Sequence, residues 1–297
     1  MQPPSDEHLE ARLDRWLAEI LPRIDTAEVA ARAAIEADEA ERLLAIYANE
    51  ARVGLRLIHP LLRPGMRVLE IGSGIGALLN FLHSEGVDIV GIEPGGSGFG
   101  FMPAMNAAIA AAAGGSARCL VIGAEELDQA HHGGFDLIFS TNVIEHIPDL
   151  DSAFRGMARV LAHDGMMVHA CPNYAIPYEP HFGIPLVPVC PRLTRHIVPG
   201  VLTRYPGLWA ELNFVTARRV RRIVRELGLA VTFDRDVLHD VLTRISEDDE
   251  FSKRQGRLGR VVRFGVRNLG LDALLKRVPG GWLTPMIFRV SRKHLPN

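Results

Sequence analysis

The sequence predicts an α/β protein in which a mostly parallel sheet carries helices on both faces. Two observations predict this class. Short apolar segments of strand length alternate with helical segments between residues 67 and 171, which is the pattern of parallel strands joined by crossover helices. The first of these strands leads at once into a glycine-rich turn and a helix, an arrangement that leaves a crevice at the carboxyl ends of the strands.

Residues 1–54 are predicted to form an N-terminal helical cap, and residues 55–297 the domain that contains the sheet. A first helix is expected to end near Pro22, since apolar side chains before it recur at helical spacing: Leu9, Leu13, Trp16, Leu17 and Ile20. The alanine-rich stretch 27–51 is predicted to be helical as well.

Within the sheet domain, strands and helices follow one another at short intervals. Strands are predicted at 67–71, 88–92, 118–122, 135–140 and 166–171. Helices are predicted at 76–85, at 103–113 and near 150–162, the last capped by Asp149 or Asp151. The Asp164-Gly165 pair is expected to form the turn into the fifth strand.

The pattern changes after the fifth strand. Six prolines fall between Pro172 and Pro191, which excludes regular helix there and favours an ordered loop. Because this loop follows a strand that ends at the crevice, residues 172–213 are predicted to form a lid over it.

The C-terminal part returns to regular elements. Thr216 can cap a helix that ends at Gly228, and a strand is expected at 229–233. Residues 240–280 are predicted to be a helical insertion before a last strand at 286–290.

The turn after the first strand reads Gly72-Ser73-Gly74-Ile75-Gly76. Glycines in such a turn permit positive φ and let a ligand lie against bare backbone. Gly72, Gly74 and Ala77 also satisfy the looser dinucleotide pattern, so NAD is one possible ligand. Two details favour a cationic ligand without phosphates instead: the carboxylate of Glu70 would repel a pyrophosphate, and Gly76 lets the turn close on its ligand.

A second motif, Asn142-Val143-Ile144-Glu145-His146, follows the fourth strand. Strand ends on this side of the sheet line the crevice, so Asn142, Glu145 and His146 are expected to face it. With these two motifs, the sequence resembles the class I S-adenosylmethionine (SAM)-dependent methyltransferases, particularly the branch of the ubiquinone-biosynthesis O-methyltransferases. The resemblance covers roughly residues 55–238 and 282–292.

The resemblance implies a Rossmann-like sheet of seven strands whose last strand is reversed. It also implies SAM as the cofactor and S-adenosylhomocysteine as the product. The N-terminal helices would then cap the cofactor crevice or pair subunits in a homodimer, and a plain packing addition is the alternative.

The same resemblance implies a role for each residue of the cofactor crevice. The backbone of Gly72, Ser73 and Gly74 would pack against the methionine and ribose of SAM, with Gly76 closing the turn. Glu70 would attract the ammonium group, and Glu93, at the end of the second strand, would accept hydrogen bonds from both ribose hydroxyls. Asn142 would complete the SAM contacts.

The segment Gly123-Ala124-Glu125-Glu126 resembles the adenine-binding Asp-Ala-Glu segment of this family. Gly123 stands where the family has an acid, so a contact to the adenine amino group is missing or passes to Glu125 or to backbone. Ala124 could still offer its N–H to the ring. The alternative is an ordinary helix start rich in acids.

Methyl transfer is an in-line displacement that requires an aligned acceptor, exclusion of water and, for hydroxyl or ammonium acceptors, removal of a proton. His146 is the first candidate base because an unperturbed imidazole titrates near neutral pH. Glu145 would orient His146 or close off the SAM side. The alternative for His146 is an orienting or helix-capping role.

The predicted lid offers a second set of reactive side chains. Glu179 and His181 could bind an acceptor amine or hydroxyl, or supply the base in place of His146, and Tyr174 and Tyr178 could contact the acceptor. A proline-rich structural loop is the alternative.

Basic residues raise the question of an anionic partner. Arg192 and Arg195 lie close to the lid and are candidates for binding an anionic acceptor. The C-terminal region 251–297 is rich in Lys and Arg and holds the single acid Asp272. Such a region suits weak membrane-surface contact and a lipid-linked acceptor, and simple solvation is the alternative.

The remaining composition describes an ordinary intracellular enzyme. The three cysteines form no close-spaced pair, which favours reduced thiols in the cytoplasm and no metal site. The chain has no recognisable RNA-binding module, so no nucleic-acid partner is expected. The sequence therefore predicts a SAM-dependent methyltransferase acting on an oxygen or nitrogen of a small molecule. The alternatives are a non-catalytic SAM-binding protein and an NAD-dependent oxidoreductase.

Overall fold

A computed structural model describes residues 7–95, 99–115, 117–202, 206–235 and 279–292. Residues 240–278 of the predicted insertion 240–280 and most of the basic C-terminal region lie outside the described residues. Among the described helices, none has both the length and the apolar character needed to cross a bilayer.

Three helices precede the sheet: α1 (Glu7–Ile20), α2 (Thr26–Ala33) and α3 (Ala37–Ile58). The helical stretch predicted over 27–51 contains two helices, because Ala34 ends α2 in the left-handed conformation with φ 54°. Asp25 caps α2 by accepting hydrogen bonds from the N–H groups of Ala27 and Glu28. Helix α3 continues through position 54, where the predicted cap ends.

The sheet domain begins with β1 (Arg67–Ile71), α4 (Ala77–Ser84), β2 (Asp88–Ile92), α5 (Met102–Ala112) and β3 (Arg118–Leu120). It continues with α6 (Gln129–His132), β4 (Phe135–Thr141), α7 (Leu150–Val160) and β5 (Leu161–Cys171). Asp149, one of the two predicted caps, accepts a hydrogen bond from Ser152 N and begins α7.

The start of β5 differs from the prediction. Leu161 already pairs with Phe135 of β4, and the register then shifts so that Leu137 pairs with Met166. The predicted Asp164-Gly165 turn is therefore wrong, because these residues form an irregularity inside a strand rather than a connection before it.

The predicted lid contains more regular structure than a loop. The strands β6 (Tyr178–Glu179) and β7 (Ile184–Pro185) form a small antiparallel pair of their own. The short helices α8 (Thr194–Ile197), α9 (Pro199–Leu202) and α10 (Pro206–Glu211) follow. The prolines confine β6 and β7 to two residues each, since a proline cannot donate to a longer ladder.

The chain ends with α11 (Ala217–Glu226), β8 (Ala230–Phe233) and β9 (Met286–Ser291). Thr216 caps α11 as predicted, by accepting a hydrogen bond from Arg219 N. The order of the seven-stranded sheet is β3-β2-β1-β4-β5-β9-β8. Strands β1 to β5 are parallel, and β9 runs antiparallel to both β5 and β8. The predicted seven-stranded sheet with a reversed last strand is confirmed.

Two apolar cores cover the two faces of the sheet. One joins buried side chains of α7 and α11 to the sheet, and the other joins those of α1, α3, α4 and α5 to it. The strands β1, β2, β4 and β5 are largely buried on both faces, which explains their nearly continuous apolar sequences. All parallel strands point their carboxyl ends to the same edge, where the candidate site lies.

Candidate functional site

The glycine turn after β1 has the conformation that its sequence predicts. Gly72, Gly74 and Gly76 have φ values of 67°, 56° and 73°, which other residues rarely adopt. A Cβ atom at Gly72 would lie 2.5 Å from Val143 Cγ2, so the loop after β4 packs directly on the turn. The two predicted motifs are therefore neighbours in space.

Four of the five N–H groups of the turn donate to acceptors within the protein. Those of Gly72 and Ser73 both donate to the carbonyl oxygen of Ile92, at 2.8 and 3.0 Å. The N–H of Gly74 donates to Glu93 Oε2 at 2.9 Å, and that of Gly76 to the Ser73 carbonyl oxygen at 2.8 Å. A dinucleotide site needs free N–H groups for its pyrophosphate. This turn suits a ligand that has no phosphate.

Two carboxylates flank the turn, of which Glu70 is buried and Glu93 is half-buried. Glu70 is 8% exposed, and its Oε2 atom has no hydrogen-bond partner. Burial raises the pKa of Glu70 well above its usual range, and the nearby Glu93 raises it further. Glu93 accepts from Gly74 N and, at 3.1 Å, from Gly95 N. A cation between Glu70 and Glu93 would relieve this buried negative charge.

Ser73 and Cys119 show how closely β3 approaches the turn. Ser73 Oγ lies 3.3 Å from Cys119 Sγ, and burial raises the pKa of the Cys119 thiol. The Ser73 hydroxyl thus bonds within the protein, and the predicted contact between the Ser73 backbone and the cofactor stays a prediction.

The predicted adenine segment forms a single 3₁₀ turn over Ala124–Glu126. The N–H of Gly123 donates to Glu126 Oε1 at 2.8 Å, so Glu126 fixes the turn. Ala124 is buried and Glu125 is exposed. Arg159 of α7 donates to the Glu125 carbonyl oxygen at 2.8 Å and holds the segment in place.

Helix α3 contributes two residues that the sequence analysis did not place in the site. Glu50 Oε2 accepts a hydrogen bond from Asn142 Nδ2 at 2.8 Å, and Asn142 itself has φ 53°. The Tyr47 ring would lie 3.3 Å from a Cβ atom at Gly74. Burial, then Glu93 and Glu50, raise the pKa of Tyr47. No sequence motif identifies Tyr47 and Glu50 as site residues. The local sequence shows only that their i, i+3 spacing places them on the same face of an alanine-rich helix.

The candidate catalytic residues meet in one cluster, which we call the Glu–His cluster: Glu145, His146, Glu179 and His181. His181 Nδ1 lies 2.6 Å from Glu179 Oε1, within hydrogen-bond distance. Glu145 Oε1 lies 4.0 Å from both His181 Nε2 and His146 Nε2. The two imidazole ring centroids are 5.2 Å apart. The lid thus brings its reactive residues to the motif after β4.

Glu145 and His146 are held in their uncharged forms. Glu145 is fully buried, and neither carboxylate oxygen has a hydrogen-bond partner in another residue. Burial raises its pKa to about 8, against the opposing effect of His181. Burial, followed by the charge of His181, lowers the pKa of His146 to about 3.

Glu179 and His181 favour the opposite, charged forms. Burial alone would lower the pKa of His181, but the hydrogen bond to Glu179 and the charges of Glu179, Glu145 and Glu50 raise it overall. Burial alone would raise the pKa of Glu179, yet hydrogen bonds from His181 and from Phe182 N lower it overall. The site therefore contains an ion pair beside a neutral pair.

One of the four predicted acceptor residues contacts the Glu–His cluster, and the other three are exposed side chains of the lid. Tyr174 is buried, and its hydroxyl donates to Glu179 Oε1 at 3.1 Å. Tyr178 is 46% exposed, and Arg192 and Arg195 are exposed on the lid. Arg195 Nε donates to His196 Nε2 at 3.1 Å rather than to the cluster. An acceptor role for Tyr178, Arg192 and Arg195 stays a prediction.

Known proteins share this sequence pattern. A family described as a methyltransferase domain matches residues 6–232. An uncharacterised protein of Mycobacterium tuberculosis is 33% identical over 236 residues, which are 77% of this chain and 80% of that protein. The ubiquinone biosynthesis O-methyltransferase of Bradyrhizobium diazoefficiens is 31% identical over 106 residues, 35% of this chain and 39% of the enzyme.

Two solved structures illustrate the similarity of fold. A SAM-dependent methyltransferase of Thermotoga maritima, described as a possible histamine N-methyltransferase, has a TM-score of 0.47 and 13% identity, covering 90% of this chain and 100% of its own. Phosphoethanolamine N-methyltransferase 2 of Haemonchus contortus, in complex with SAM, has a TM-score of 0.43 and 17% identity, covering 82% of this chain and 51% of its own.

Proposed function

Because the chain belongs to the methyltransferase-domain family, whose members use SAM, we propose that it transfers the methyl group of SAM to an oxygen or nitrogen of a small-molecule acceptor. One observation carries the proposal. The glycine turn with its two carboxylates and the Glu–His cluster lie beyond the ends of the adjacent parallel strands β1 and β4, so a cofactor and an acceptor can meet at one edge of the sheet.

The carboxylates beside the glycine turn support SAM as the ligand. SAM carries an ammonium and a sulfonium group and no phosphate. Glu70 has an unpartnered oxygen for the ammonium, and Glu93 keeps acceptor capacity for ribose hydroxyls in addition to its two backbone bonds. The occupied N–H groups of the turn offer little to the pyrophosphate of NAD.

The Glu–His cluster supplies what the acceptor requires. In the reaction, the acceptor oxygen or nitrogen forms a bond to the methyl carbon while the carbon–sulfur bond breaks, which leaves S-adenosylhomocysteine. The acceptor proton passes to a base during this step. Glu145 and Glu179 are buried, which limits the access of water to the cluster from the protein side, whereas His181 is partly exposed.

Of the two candidate bases, the geometry favours His181. Its Nδ1 atom bonds to Glu179, which sets the ring orientation. Once the ring has lost its Nε2 proton, the Nε2 lone pair can take the acceptor proton. His146 Nδ1 is buried without a partner, and its Nε2 atom lies 4.0 Å from Glu145 Oε1, so no hydrogen bond to a carboxylate orients that ring. We therefore assign His181 as the base, Glu179 as its positioning partner, and His146 as a wall of the acceptor pocket.

The proposal is tested with methyl-labelled SAM and a panel of phenols, alcohols and amines, with labelled product as the readout. Wild-type protein should label at least one acceptor. His181→Gln should lower the rate by roughly 100-fold or more, whereas the exposed His163→Gln should not. Saturable binding of NAD with no binding of SAM would overturn the assignment of the cofactor and of the reaction.

A further inference from the structure

The acceptor end of the crevice combines buried negative charge with unused hydrogen-bond acceptors. Both oxygens of Glu145, a fully buried side chain, lack a hydrogen bond to any other described residue. Two further carboxylates, Glu50 and Glu179, act electrostatically on Glu145 and on His181. A buried carboxylate without a partner is costly, and it is normally paired with a cation. This end of the crevice therefore suits a positively charged group.

SAM cannot supply the partner that Glu145 lacks. The ammonium group of SAM is assigned to Glu70 beside the glycine turn, where another buried carboxylate oxygen is without a partner. The sulfonium group of SAM carries no N–H or O–H, so it cannot donate a hydrogen bond to the oxygens of Glu145. A cation that meets Glu145 has to belong to the acceptor, and it has to be a hydrogen-bond donor.

Three acceptor atoms at this point have the spacing that the N–H groups of an alkylammonium ion require. Glu145, His146 and His181 each offer one atom, and these atoms all lie within 4.8 Å of one another. Glu145 Oε1 is 4.0 Å from Nε2 of each histidine. Charge-assisted hydrogen bonds of about 2.8 Å, directed at the tetrahedral angle, end on acceptors about 4.6 Å apart. One nitrogen placed between the three side chains can donate to all of them.

A row of aromatic rings borders the cluster and suits the same charge. The Phe99 ring packs against His146 in a T-shaped arrangement, with ring centroids 5.5 Å apart. Phe101 follows at 6.4 Å from Phe99, and Tyr47, beside Gly74, at 6.2 Å from Phe101. Aromatic rings attract ammonium groups, and more strongly where water is excluded.

The charge that develops during methyl transfer also favours nitrogen as the acceptor atom. An amine nitrogen becomes positive as it bonds to the methyl carbon, whereas a hydroxyl acceptor becomes negative at oxygen when its proton leaves. Carboxylates stabilise the positive charge and oppose the negative one. Glu50, Glu145 and Glu179 bring three carboxyl groups to this point.

We propose that the acceptor is an alkylamine that binds as its ammonium ion and donates hydrogen bonds to Glu145, His146 and His181. This substrate class rests on the proposed function, since it names the acceptor of that reaction. The Nε2 lone pair of His181 takes one N–H proton, and the amine lone pair then forms the bond to the methyl carbon. The electrons of the carbon–sulfur bond leave with S-adenosylhomocysteine. The product is a methylated ammonium ion, and the imidazolium of His181 releases its proton to solvent.

The protonation states of the cluster allow this exchange. Burial raises the pKa of Glu145 to about 8, so its carboxyl group holds a proton at neutral pH when no cation is present. A bound ammonium ion stabilises the ionised carboxylate and takes the place of that proton. Burial lowers the pKa of His181 and Glu179 raises it, and the ammonium charge shifts this balance toward the neutral ring that accepts a proton. A neutral alcohol has neither effect.

Binding of matched amines and alcohols tests the proposal without any methyl transfer. The probes are ethylamine and ethanol, benzylamine and benzyl alcohol, and phenethylamine and phenethyl alcohol. Each is titrated by NMR against the chain alone and against the chain with S-adenosylhomocysteine, at a neutral pH where the amines are ammonium ions. At least one amine should bind roughly tenfold or more tightly than its paired alcohol, because its hydrogen bonds are charge-assisted.

Variants that remove one charge show which side chains produce the preference. Glu145→Gln should lower amine affinity by roughly tenfold or more, while alcohol affinity stays within about twofold. Glu50→Gln keeps an oxygen that can accept from Asn142, and it should lower amine affinity alone, by roughly threefold. The exposed Glu41→Gln is the control and should change neither affinity. Thermal unfolding shows whether each variant is folded, and the wild-type preference needs no variant.

The outcomes separate this inference from the proposed function. If no amine binds more tightly than its paired alcohol, or if the preference is unchanged in folded Glu145→Gln protein, the amine acceptor is wrong. Transfer of labelled methyl from SAM to phenols or alcohols but to no amine also overturns it, although methyl transfer itself then stands. An amine preference that depends on Glu145 supports the ammonium site even if the chain does not bind SAM, a result that would overturn the proposed reaction instead.

Discussion

At the scale of single residues, the site is built from carboxylates that the protein buries at a cost. Glu70 has a folded-state pKa raised by burial and by Glu93. The folded state therefore binds a proton more tightly than the unfolded state does, and this contribution to stability is lost as pH rises through the raised pKa. A cationic cofactor gives the ionised form a partner.

Glu70→Gln should separate stability from binding. The amide removes the buried charge, so the melting temperature at neutral pH should rise relative to the wild type, with a smaller difference near pH 4.5 where Glu70 is protonated. SAM affinity should fall roughly tenfold or more because the ammonium loses a charged partner.

Scanning calorimetry at several pH values and SAM titration measure the two effects of Glu70→Gln. The exposed Glu41→Gln is the control and should change neither. Unchanged SAM affinity in Glu70→Gln would remove Glu70 from the cofactor site.

Glu93→Ala should also weaken SAM binding, by at least tenfold, while the protein stays folded. The change removes the acceptor for the ribose hydroxyls. It also removes the two hydrogen bonds that Glu93 accepts from Gly74 N and Gly95 N. Binding of S-adenosylhomocysteine, which keeps the ribose, should fall in parallel. If both affinities are retained in a folded Glu93→Ala protein, the ribose assignment is wrong.

At the scale of elements, helix α7 sets the position of the predicted adenine segment. A Cβ atom at Gly156 would overlap the carbonyl oxygen of Ala124, so the backbones of α7 and of the 124–126 turn are in direct contact. Only glycine permits this approach at the helix surface.

Gly156→Ala should push the two elements apart. We expect a loss of about 1–3 kcal/mol in unfolding free energy, because backbone must move to admit the methyl group. SAM affinity should fall as well if the turn at Ala124 contacts adenine. Gly115→Ala, where the added methyl meets nothing within 4 Å, is the control for both measurements. Normal SAM affinity in a destabilised Gly156→Ala protein would argue against the adenine role.

Helix α11 offers a simpler test of local stability. Thr216→Ala removes the side-chain oxygen that caps the first turn, and the free energy of unfolding in urea should fall by about 1 kcal/mol. Thr216→Ser keeps the oxygen and should lie close to the wild type. An unaffected Thr216→Ala protein would show that this cap contributes little to the fold.

At the scale of the whole molecule, the site draws on parts of the chain that are far apart in sequence. Four segments contribute residues to the candidate site: helix α3, the turn after β1, the loop after β4 and the lid. A ligand that contacts all of them stabilises the folded protein as a unit.

SAM at 100 times its dissociation constant should add about 2.7 kcal/mol to the stability of the folded chain and raise its melting temperature. NAD should produce no shift, because four of the five N–H groups of the glycine turn already donate within the protein. Thermal unfolding with each ligand in parallel measures this. A shift with NAD alone would contradict the SAM assignment.

The sequence by itself determined the features that depend on near neighbours in the chain. Alternating strands and helices, the three glycines with positive φ, and the caps at Asp149 and Thr216 all follow from short-range spacing and side-chain chemistry. The reversed last strand came from the family resemblance, and β9 confirms it. The roles of the site residues remain predictions.

Only the tertiary structure decided which distant residues meet. Glu50 reaches Asn142 across 92 positions, and His181 faces Glu145, because helix α3 and the lid pack on the same edge of the sheet. The pairing of Leu161 with Phe135 likewise moved the start of β5. Such contacts depend on how whole elements pack, and local periodicity carries no information about them.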